Sequence, residues 1–135
     1  MQIEFTLTPT STDIDFLTEK INEGTPGYGT AYPFGFFMRD EDENIIAGCN
    51  GSVIFGRIYT DQLWVHPDHR GKGLGRMFME HVHDYGRQEG CSLATVNTMS
   101  FQGALSFYEK LGYTMDFERK GYAKGSSLLC LKKEL

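Results

Sequence analysis

A glycine-rich turn with three cations lies in the middle of the chain, within residues 61–76. Its glycines alternate directly before a helical pattern, at Gly71, Gly73 and Gly75. Its cations belong to the same turn and are Arg70, Lys72 and Arg76. Glycine lets a backbone approach a ligand without a Cβ in the way, and the amides that open a helix lack partners and carry partial positive charge. The turn therefore predicts a binding site for an anion the size of a diphosphate.

Two common phosphate-binding loops do not match this turn. A Walker loop needs serine or threonine after its lysine, and here Gly73 follows Lys72. A dinucleotide fingerprint reads G-x-G-x-x-G in an early βαβ unit, whereas this turn reads G-x-G-x-G in mid-chain. Both nucleotide interpretations fail on spacing. Two alternatives to the diphosphate site remain open: nucleotide binding, and a plain turn without a ligand.

The surrounding pattern predicts the elements that position this turn. The run 74–89 has apolar residues at helical spacing and stops at Gly90, which predicts a helix. Thr12 and Asp15 resemble a capping box, which predicts an earlier helix that ends at Gly24. The remaining predictions are strands over about 2–8, 34–40, 45–56, 58–66, 92–98, 113–119 and 126–133, and a helix over about 101–111. This order predicts a mixed α/β or α+β fold around one central sheet.

The bulk properties are those of one soluble domain over residues 1–135. A net charge of −5 argues against a nucleic acid partner, because phosphates select basic surfaces. No apolar run approaches the length of a membrane span and the N-terminus lacks a secretory pattern, so we expect a cytoplasmic protein without a membrane partner. Cys49, Cys91 and Cys130 are odd in number and widely spaced, which favours reduced structural cysteines.

Two segments together resemble a known family. Residues 70–75 read Arg-Gly-Lys-Gly-Leu-Gly, which is similar to the (Arg/Gln)-x-x-Gly-x-(Gly/Ala) signature of the GNAT superfamily of N-acetyltransferases. Residues 104–113 resemble a second element of that family at the expected distance, and residues 63–67 resemble its fourth strand. The resemblance implies a GNAT-like α/β (α+β) fold. That fold has a single mixed, mostly antiparallel sheet of about six or seven strands and about three flanking helices.

The resemblance implies acetyl-coenzyme A as co-substrate and no metal. The backbone amides of residues 71–76 would then bind the pyrophosphate. Backbone groups of Leu63, Trp64 and Val65 would bind the pantetheine arm, with the Val65 N–H aimed at the thioester oxygen. The expected cofactor-binding residues are Leu63, Trp64, Val65, Arg70, Gly71, Lys72, Gly73, Leu74, Gly75, Arg76 and Asn97.

Two side chains are candidates for proton transfer. Tyr108 matches the tyrosine that protonates the departing sulfur in many relatives, and a phenol is mostly protonated at neutral pH. Packing on a helical stripe is the alternative role for this residue. Asp61 is the candidate base that takes a proton from the acceptor amine, with an ordinary edge carboxylate as its alternative. Period-two alternation predicts that Asp61 shares a face with Tyr59, Leu63 and Val65.

One position departs from the family pattern. Many relatives carry asparagine three residues before the alanine of the second motif, where this chain has Phe101. Asn97 or Gln102 would have to make that contact instead. His66 and His69 form an HxxH pair without a clear third ligand, which argues against a metal site.

The acceptor is expected to be the amine of a small molecule or a lysine side chain. Tyr28 and Tyr32 in the first long loop and Tyr122 in the 119–126 connection are candidates to wall an acceptor pocket. A homodimer is expected only by analogy with relatives. A non-catalytic acyl-coenzyme A sensor or partner-binding module on the same fold is the alternative from another class.

Overall fold

A six-stranded sheet and three α-helices make up the fold in a computed structural model that describes all residues 1–135. The helices are α1 (Ser11–Glu23), α2 (Leu74–Gln88) and α3 (Leu105–Lys110). The strands are β1 (Ala31–Arg39), β2 (Ile45–Ile54), β3 (Arg57–Val65), β4 (Leu93–Met99), β5 (Thr114–Lys120) and β6 (Ser127–Glu134). Short 3₁₀ turns cover Pro67–His69 and Ala123–Gly125.

The strand order in the sheet is β1-β2-β3-β4-β6-β5. Only β3 and β4 pair in parallel, and they are connected through α2, as parallel neighbours require. The other four pairs are antiparallel. The predicted single mixed, mostly antiparallel sheet with three helices is therefore confirmed. No helix combines the length and the apolar character needed to cross a membrane.

The first predicted strand, over residues 2–8, is wrong. These residues pair with no strand, and the alternating side chains of Ile3, Phe5 and Leu7 are exposed. Alternation predicts which side chains would share a face, but a strand also needs an edge with which its backbone can pair. The sheet begins instead at β1.

Two helix starts differ from the predictions. Helix α1 is capped by Thr10, whose Oγ1 accepts from the Asp13 N–H at 3.2 Å, so the predicted start at Thr12 was wrong. Helix α3 begins four residues later than predicted. Gly103, with φ +68°, makes a turn there, and Gln102 Oε1 accepts from the Met99 N–H at 2.8 Å.

The core lies between α2 and the sheet. Phe78, Met79 and Val82 of α2 are buried against strand residues such as Ile58. A Cβ on Gly86 would lie 2.8 Å from Ile58 Cγ2, so this helix position needs a glycine for close approach to β3. All three cysteines are free and buried, which agrees with their predicted structural role.

A buried polar pair joins α2 to the residue that precedes β5. His83 Nε2 and the Tyr113 hydroxyl lie 2.8 Å apart, and both residues are buried. Burial, reinforced by the nearby Lys133 charge, lowers the pKa of His83 to about 4. The imidazole is therefore neutral in the folded protein at neutral pH.

This pair predicts acid sensitivity of the fold. The unfolded chain takes up the His83 proton near the ordinary histidine pKa of 6.5, and the folded chain only near pH 4. The folded state therefore has its full stability above pH 6.5. As the pH falls from 6.5 to 4, the free energy of unfolding decreases by up to about 3 kcal/mol. In urea unfolding, the stability of wild type should fall with pH over this range, and that of His83→Gln should fall less. His81→Gln, on the exposed face, should behave as wild type. Equal pH slopes in all three proteins would contradict it.

Candidate functional site

Strands β3 and β4 diverge halfway along their length and open a cleft. They pair only from Arg57 with Leu93 to Thr60 with Val96. Beyond that point β3 pairs with β2 alone, and β4 pairs with β6 alone. The cleft opens at the carboxyl ends of both strands, where α2 and α3 begin. Divergence leaves backbone groups on the facing edges without a ladder partner.

The alternating ladder shows which backbone groups face the cleft. The His66 N–H donates to the Ile46 carbonyl at 2.7 Å, so even-numbered residues at this end of β3 bond to β2. The N–H and C=O groups of Leu63 and Val65 therefore face the cleft. Arg70 Nε donates to the Val65 carbonyl at 2.8 Å and so ties the turn to the strand. The Val65 N–H is left pointing into the cleft, where the family resemblance implies a donor.

The glycine turn presents a run of free amides. Gly71 and Gly73 have φ of +76° and +79°, the left-handed region that glycine enters most easily. The first helical bond of α2 is from the Met77 N–H to the Gly73 carbonyl, and Gly73 provides no capping side chain. None of the six backbone N–H groups of residues 71–76 has a partner within the chain. Their spacing and the helix dipole suit a diphosphate.

The three cations of the turn differ in their surroundings. Arg70 and Arg76 border the cleft, and Arg76 Nε is also paired with Glu80 Oε1 at 3.0 Å. Lys72 does not border the cleft and forms no ion pair. Since exposed pairs along a helix are weak, Arg76 keeps most of its attraction for an anion.

Two adjoining cavities make up the cleft. The turn cavity, of about 600 Å³, is bordered by the glycine turn, Leu63, Val65 and Phe107. The tyrosine cavity, of about 550 Å³, is bordered by Asp61, Asn97, Gln102 and Tyr108. They share four residues, Leu63, Trp64, Arg70 and Ala104. The predicted anion site and the predicted proton-transfer residues therefore lie along one continuous cleft.

Phe107 borders the turn cavity, although the sequence indicated only a core position for it. A Cβ on Gly75 would lie 3.2 Å from Phe107 Cζ, so α2 and α3 approach closely here. The third glycine of the turn therefore permits the close packing of α2 against α3. The apolar spacing of α3 could not distinguish a cavity wall from core.

Tyr108 places its side chain at the end of the tyrosine cavity. It is 8% exposed, and its hydroxyl has no hydrogen-bond partner within the chain. Burial, with a smaller contribution from the nearby Cys49, raises the pKa of Tyr108 to about 12. The phenol is therefore protonated at neutral pH and free to donate to a ligand.

A β-bulge at Asp61, the candidate base, changes the face of the sheet on which its side chain lies. Thr60 pairs with Gly51 and Gln62 pairs with Asn50, so Asp61 has no partner in the ladder. Because of this extra residue, Asp61 lies with Tyr59, whose hydroxyl donates to Asp61 Oδ1 at 3.4 Å. Leu63 and Val65 are on the other face of the sheet. The prediction of one shared face was therefore wrong, yet the carboxylate borders the same cavity as Tyr108.

The bulge depends on a glycine in the neighbouring strand. A Cβ on Gly51 would clash directly with the Tyr59 carbonyl, which is backbone and cannot move aside. Gly51→Ala should lower the free energy of unfolding by about 2–4 kcal/mol. Gly35→Ala is the control, because its Cβ meets mainly the mobile end of Phe37 and should cost less than about 1 kcal/mol. Urea unfolding measures both, and equal losses would show that the close approach is unimportant.

Asn97 and Gln102, the predicted substitutes for the missing asparagine, both border the tyrosine cavity. Gln102 Oε1 already accepts from the Met99 N–H and, at 3.2 Å, from Thr98 Oγ1. Its amide nitrogen and the Asn97 side chain are the groups left for a ligand. Phe101 is exposed and borders neither cavity.

The three tyrosines predicted to wall an acceptor pocket are not brought together. The Tyr32 hydroxyl donates to Glu89 Oε1 at 2.8 Å, just beyond the C-terminal end of α2 and away from the glycine turn. Tyr28 is exposed in the loop before β1, and Tyr122 lies in the β5–β6 connection. None of them borders either cavity. Nothing in the sequence indicated that the segment at Tyr32 contacts the C-terminal end of α2.

His66 has a local structural role. Its Nδ1 accepts from the Asp68 N–H at 3.0 Å and caps the 3₁₀ turn that leads from β3 to Arg70. No group of three or more histidine, cysteine or acidic side chains is arranged to hold a metal ion.

Comparison with known proteins identifies the family of this arrangement. The model of the Acetyltransferase (GNAT) family matches residues 8–113. Blasticidin-S acetyltransferase from Streptomyces morookaense is 33% identical over 96 residues, which cover 70% of each chain.

Solved structures share the fold. An acetyltransferase from Bacillus cereus, 22% identical, has a TM-score of 0.75 over 98% of both chains. PaiA N-acetyltransferase from Thermoplasma acidophilum, in complex with coenzyme A, is 16% identical and has a TM-score of 0.62 over 78% of this chain and 61% of that one. The family match covers both the glycine turn and the Tyr108 motif, as the resemblance of those motifs predicted. The chain belongs to the GNAT family of acetyltransferases.

Proposed function

We propose that the protein is an acetyl-coenzyme A-dependent N-acetyltransferase that moves an acetyl group directly onto a primary amine. The observation that carries this proposal is the cleft between β3 and β4. It has six free amides of residues 71–76 at one end and the unpartnered Tyr108 hydroxyl at the other. The structure of the Thermoplasma relative with coenzyme A supports the choice of ligand.

The cleft fits the parts of coenzyme A in sequence. The amides of residues 71–76 would bind the diphosphate, helped by Arg70 and Arg76. The edge of β3 offers the N–H and C=O groups of Leu63 and Val65 to an extended arm that itself carries amides. Bound acetyl-coenzyme A would supply the acyl thioester. The Val65 N–H would polarise its carbonyl by donating a hydrogen bond.

Proton transfers would fall to two side chains of the tyrosine cavity. Asp61, directly or through water, would take the proton that keeps the acceptor amine charged, because only the neutral amine is a nucleophile. The C–N bond then forms and the C–S bond breaks. Tyr108 would donate its proton to the leaving sulfur and recover one released by the new amide nitrogen. Its raised pKa keeps that proton in place until the sulfur leaves.

The acceptor is proposed to be a small-molecule amine, with a lysine side chain as the second candidate. The small-molecule class is supported by the relative named blasticidin-S acetyltransferase. A net charge of −5 and the carboxylate of Asp61 in the cavity are compatible with a cationic acceptor.

Thiol release tests the proposal. Purified protein is mixed with acetyl-coenzyme A and a panel of amines, and free thiol and acetylated product are followed together. We expect thiol release that depends on the amine and matches the amount of acetylated amine. Tight coenzyme A binding with no turnover of any amine would support a non-catalytic sensor instead. Tighter binding of ATP or NAD than of coenzyme A would contradict the assignment of the glycine turn.

A further inference from the structure

A third cavity, of about 260 Å³, lies on the face of the sheet opposite α2. Along β2, Ala47 and Cys49 are buried toward α2, so Gly48 between them and Asn50 after them face the other side. The cavity shares Gln62 and Trp64 with the tyrosine cavity. A ligand that reaches Tyr108 from this face would therefore pass over it. We call this cavity, formed by Phe37, Gly48, Asn50, Gln62 and Trp64, the outer cleft.

Phe37 and Trp64 provide the aromatic surface of the outer cleft. Gly48 pairs with Phe37 on one side and with Trp64 on the other. A Cβ on Gly48 would lie 2.7 Å from Phe37 Cδ1, and one on Gly35 would lie 2.8 Å from Phe37 Cε2, so the Phe37 ring covers both glycines. Phe37 and Trp64 are nevertheless 57% and 46% exposed. Such rings offer their faces to a flat group or a cation.

Two amide side chains stand directly opposite each other at the inner end of the outer cleft. Asn50 and Gln62 are cross-strand partners, and both border the cavity. Asn50 Oδ1 is buried without any hydrogen-bond partner, which is unfavourable until a donor arrives. The amide turns easily about its last torsion, so a ligand N–H can satisfy this oxygen. The outer cleft is therefore suited to a ligand that donates hydrogen bonds.

No charged side chain borders the outer cleft, and the neighbouring tyrosine cavity has one carboxylate and one guanidinium. Asp61 precedes Gln62 at the bulge and brings a carboxylate to the neighbouring cavity. Arg70, the cation that borders that cavity, is bonded through Nε to the Val65 carbonyl. A flat cation rich in N–H groups would satisfy the aromatic faces and the amide oxygens together.

We propose that the outer cleft binds a guanidinium or amidinium group at the far end of the acceptor, whose primary amine then reaches the tyrosine cavity. This inference rests on the proposed function, since it names the class of acceptor for the same site. The preferred substrates are therefore amines joined by a flexible spacer to a flat, N–H-rich cation.

Fluorescence of the single tryptophan, Trp64, measures this binding without turnover. The protein is saturated with coenzyme A and titrated with 4-aminobutylguanidine, 1,4-diaminobutane and pentylamine. We expect the guanidine to bind at least about 10-fold more tightly than either matched amine. Phe37→Leu and Asn50→Leu should each reduce that preference about 5-fold or more. Phe117→Leu, at an aromatic residue on β5 that is 46% exposed, should retain it.

The ratio of kcat/KM for guanidino and simple amines gives a second readout, and the loss in each variant should appear in KM. Equal affinity for all three amines, or a preference that survives both Phe37→Leu and Asn50→Leu, would overturn the inference. Acetylation of simple amines without guanidine preference would refute this inference alone. Saturable guanidine binding without acetylation of any amine would refute the proposed function and retain the outer cleft as a binding site.

Discussion

Replacing Gly73 with aspartate should weaken coenzyme A binding by about 100-fold, or about 2.7 kcal/mol, while the protein stays folded. The α-carbon of Gly73 faces open space, and a Cβ placed there would have no atom within 4 Å. A carboxylate at this position would occupy the space beside the free amides and repel the diphosphate. Aspartate is also one of the side chains that tolerate the left-handed backbone, here φ +79°.

Gly90 provides a matched control at the other end of the same helix. It has the same φ of +79° and also has no atom within 4 Å of a Cβ. Gly90→Asp should therefore carry a similar backbone strain and leave coenzyme A affinity unchanged. Isothermal titration gives the affinities, and thermal unfolding gives the strain. Unchanged affinity in Gly73→Asp, or equal loss in both variants, would remove the glycine turn from the proposed binding site.

Replacing Tyr108 with phenylalanine should lower kcat about 100-fold with little change in KM for acetyl-coenzyme A. The variant removes a hydroxyl that has no partner within the chain, so stability should be unchanged. What it loses is the proton for the departing sulfur. Steady-state kinetics with a substrate amine measures the split between kcat and KM.

Tyr113 is the control for this substitution. Its ring centroid lies 5.6 Å from that of Tyr108, it is also buried, and its hydroxyl is bonded to His83 instead of facing the cleft. Tyr113→Phe should lower the free energy of unfolding by about 1 kcal/mol and keep kcat. If Tyr108→Phe instead keeps full activity, Tyr108 is a packing residue and the proton comes from another source.

The sequence allowed the middle of the fold to be predicted because strong local signals coincide there. A strand–turn–helix unit is indicated by the helical spacing over residues 74–89, by the stop at Gly90 and by the alternating glycines within residues 71–75. The structure has that unit, and the adjoining cavities contain Asp61 and Tyr108. Local sequence is enough to predict a site that is made of backbone amides at the start of one helix.

The features that were missed depend on contacts between distant segments. Residues 2–8 alternate as a strand does, but no edge pairs with them. The bulge at Asp61 arises from the register of β3 against β2 around Gly51, which no single strand reveals. Tyr32 and Phe37 lie on opposite faces of β1. Tyr32 bonds to Glu89 after α2, whereas Phe37 covers glycines at the outer cleft. Register and edge partners are set by the whole sheet.

A crystal structure of the coenzyme A complex would show whether the glycine turn binds the diphosphate. We expect diphosphate oxygens within hydrogen-bonding distance of the backbone nitrogens of residues 71–76, and the thiol end of the ligand beside the Tyr108 hydroxyl. A diphosphate bound elsewhere, with these amides turned toward other groups of the protein, would contradict it.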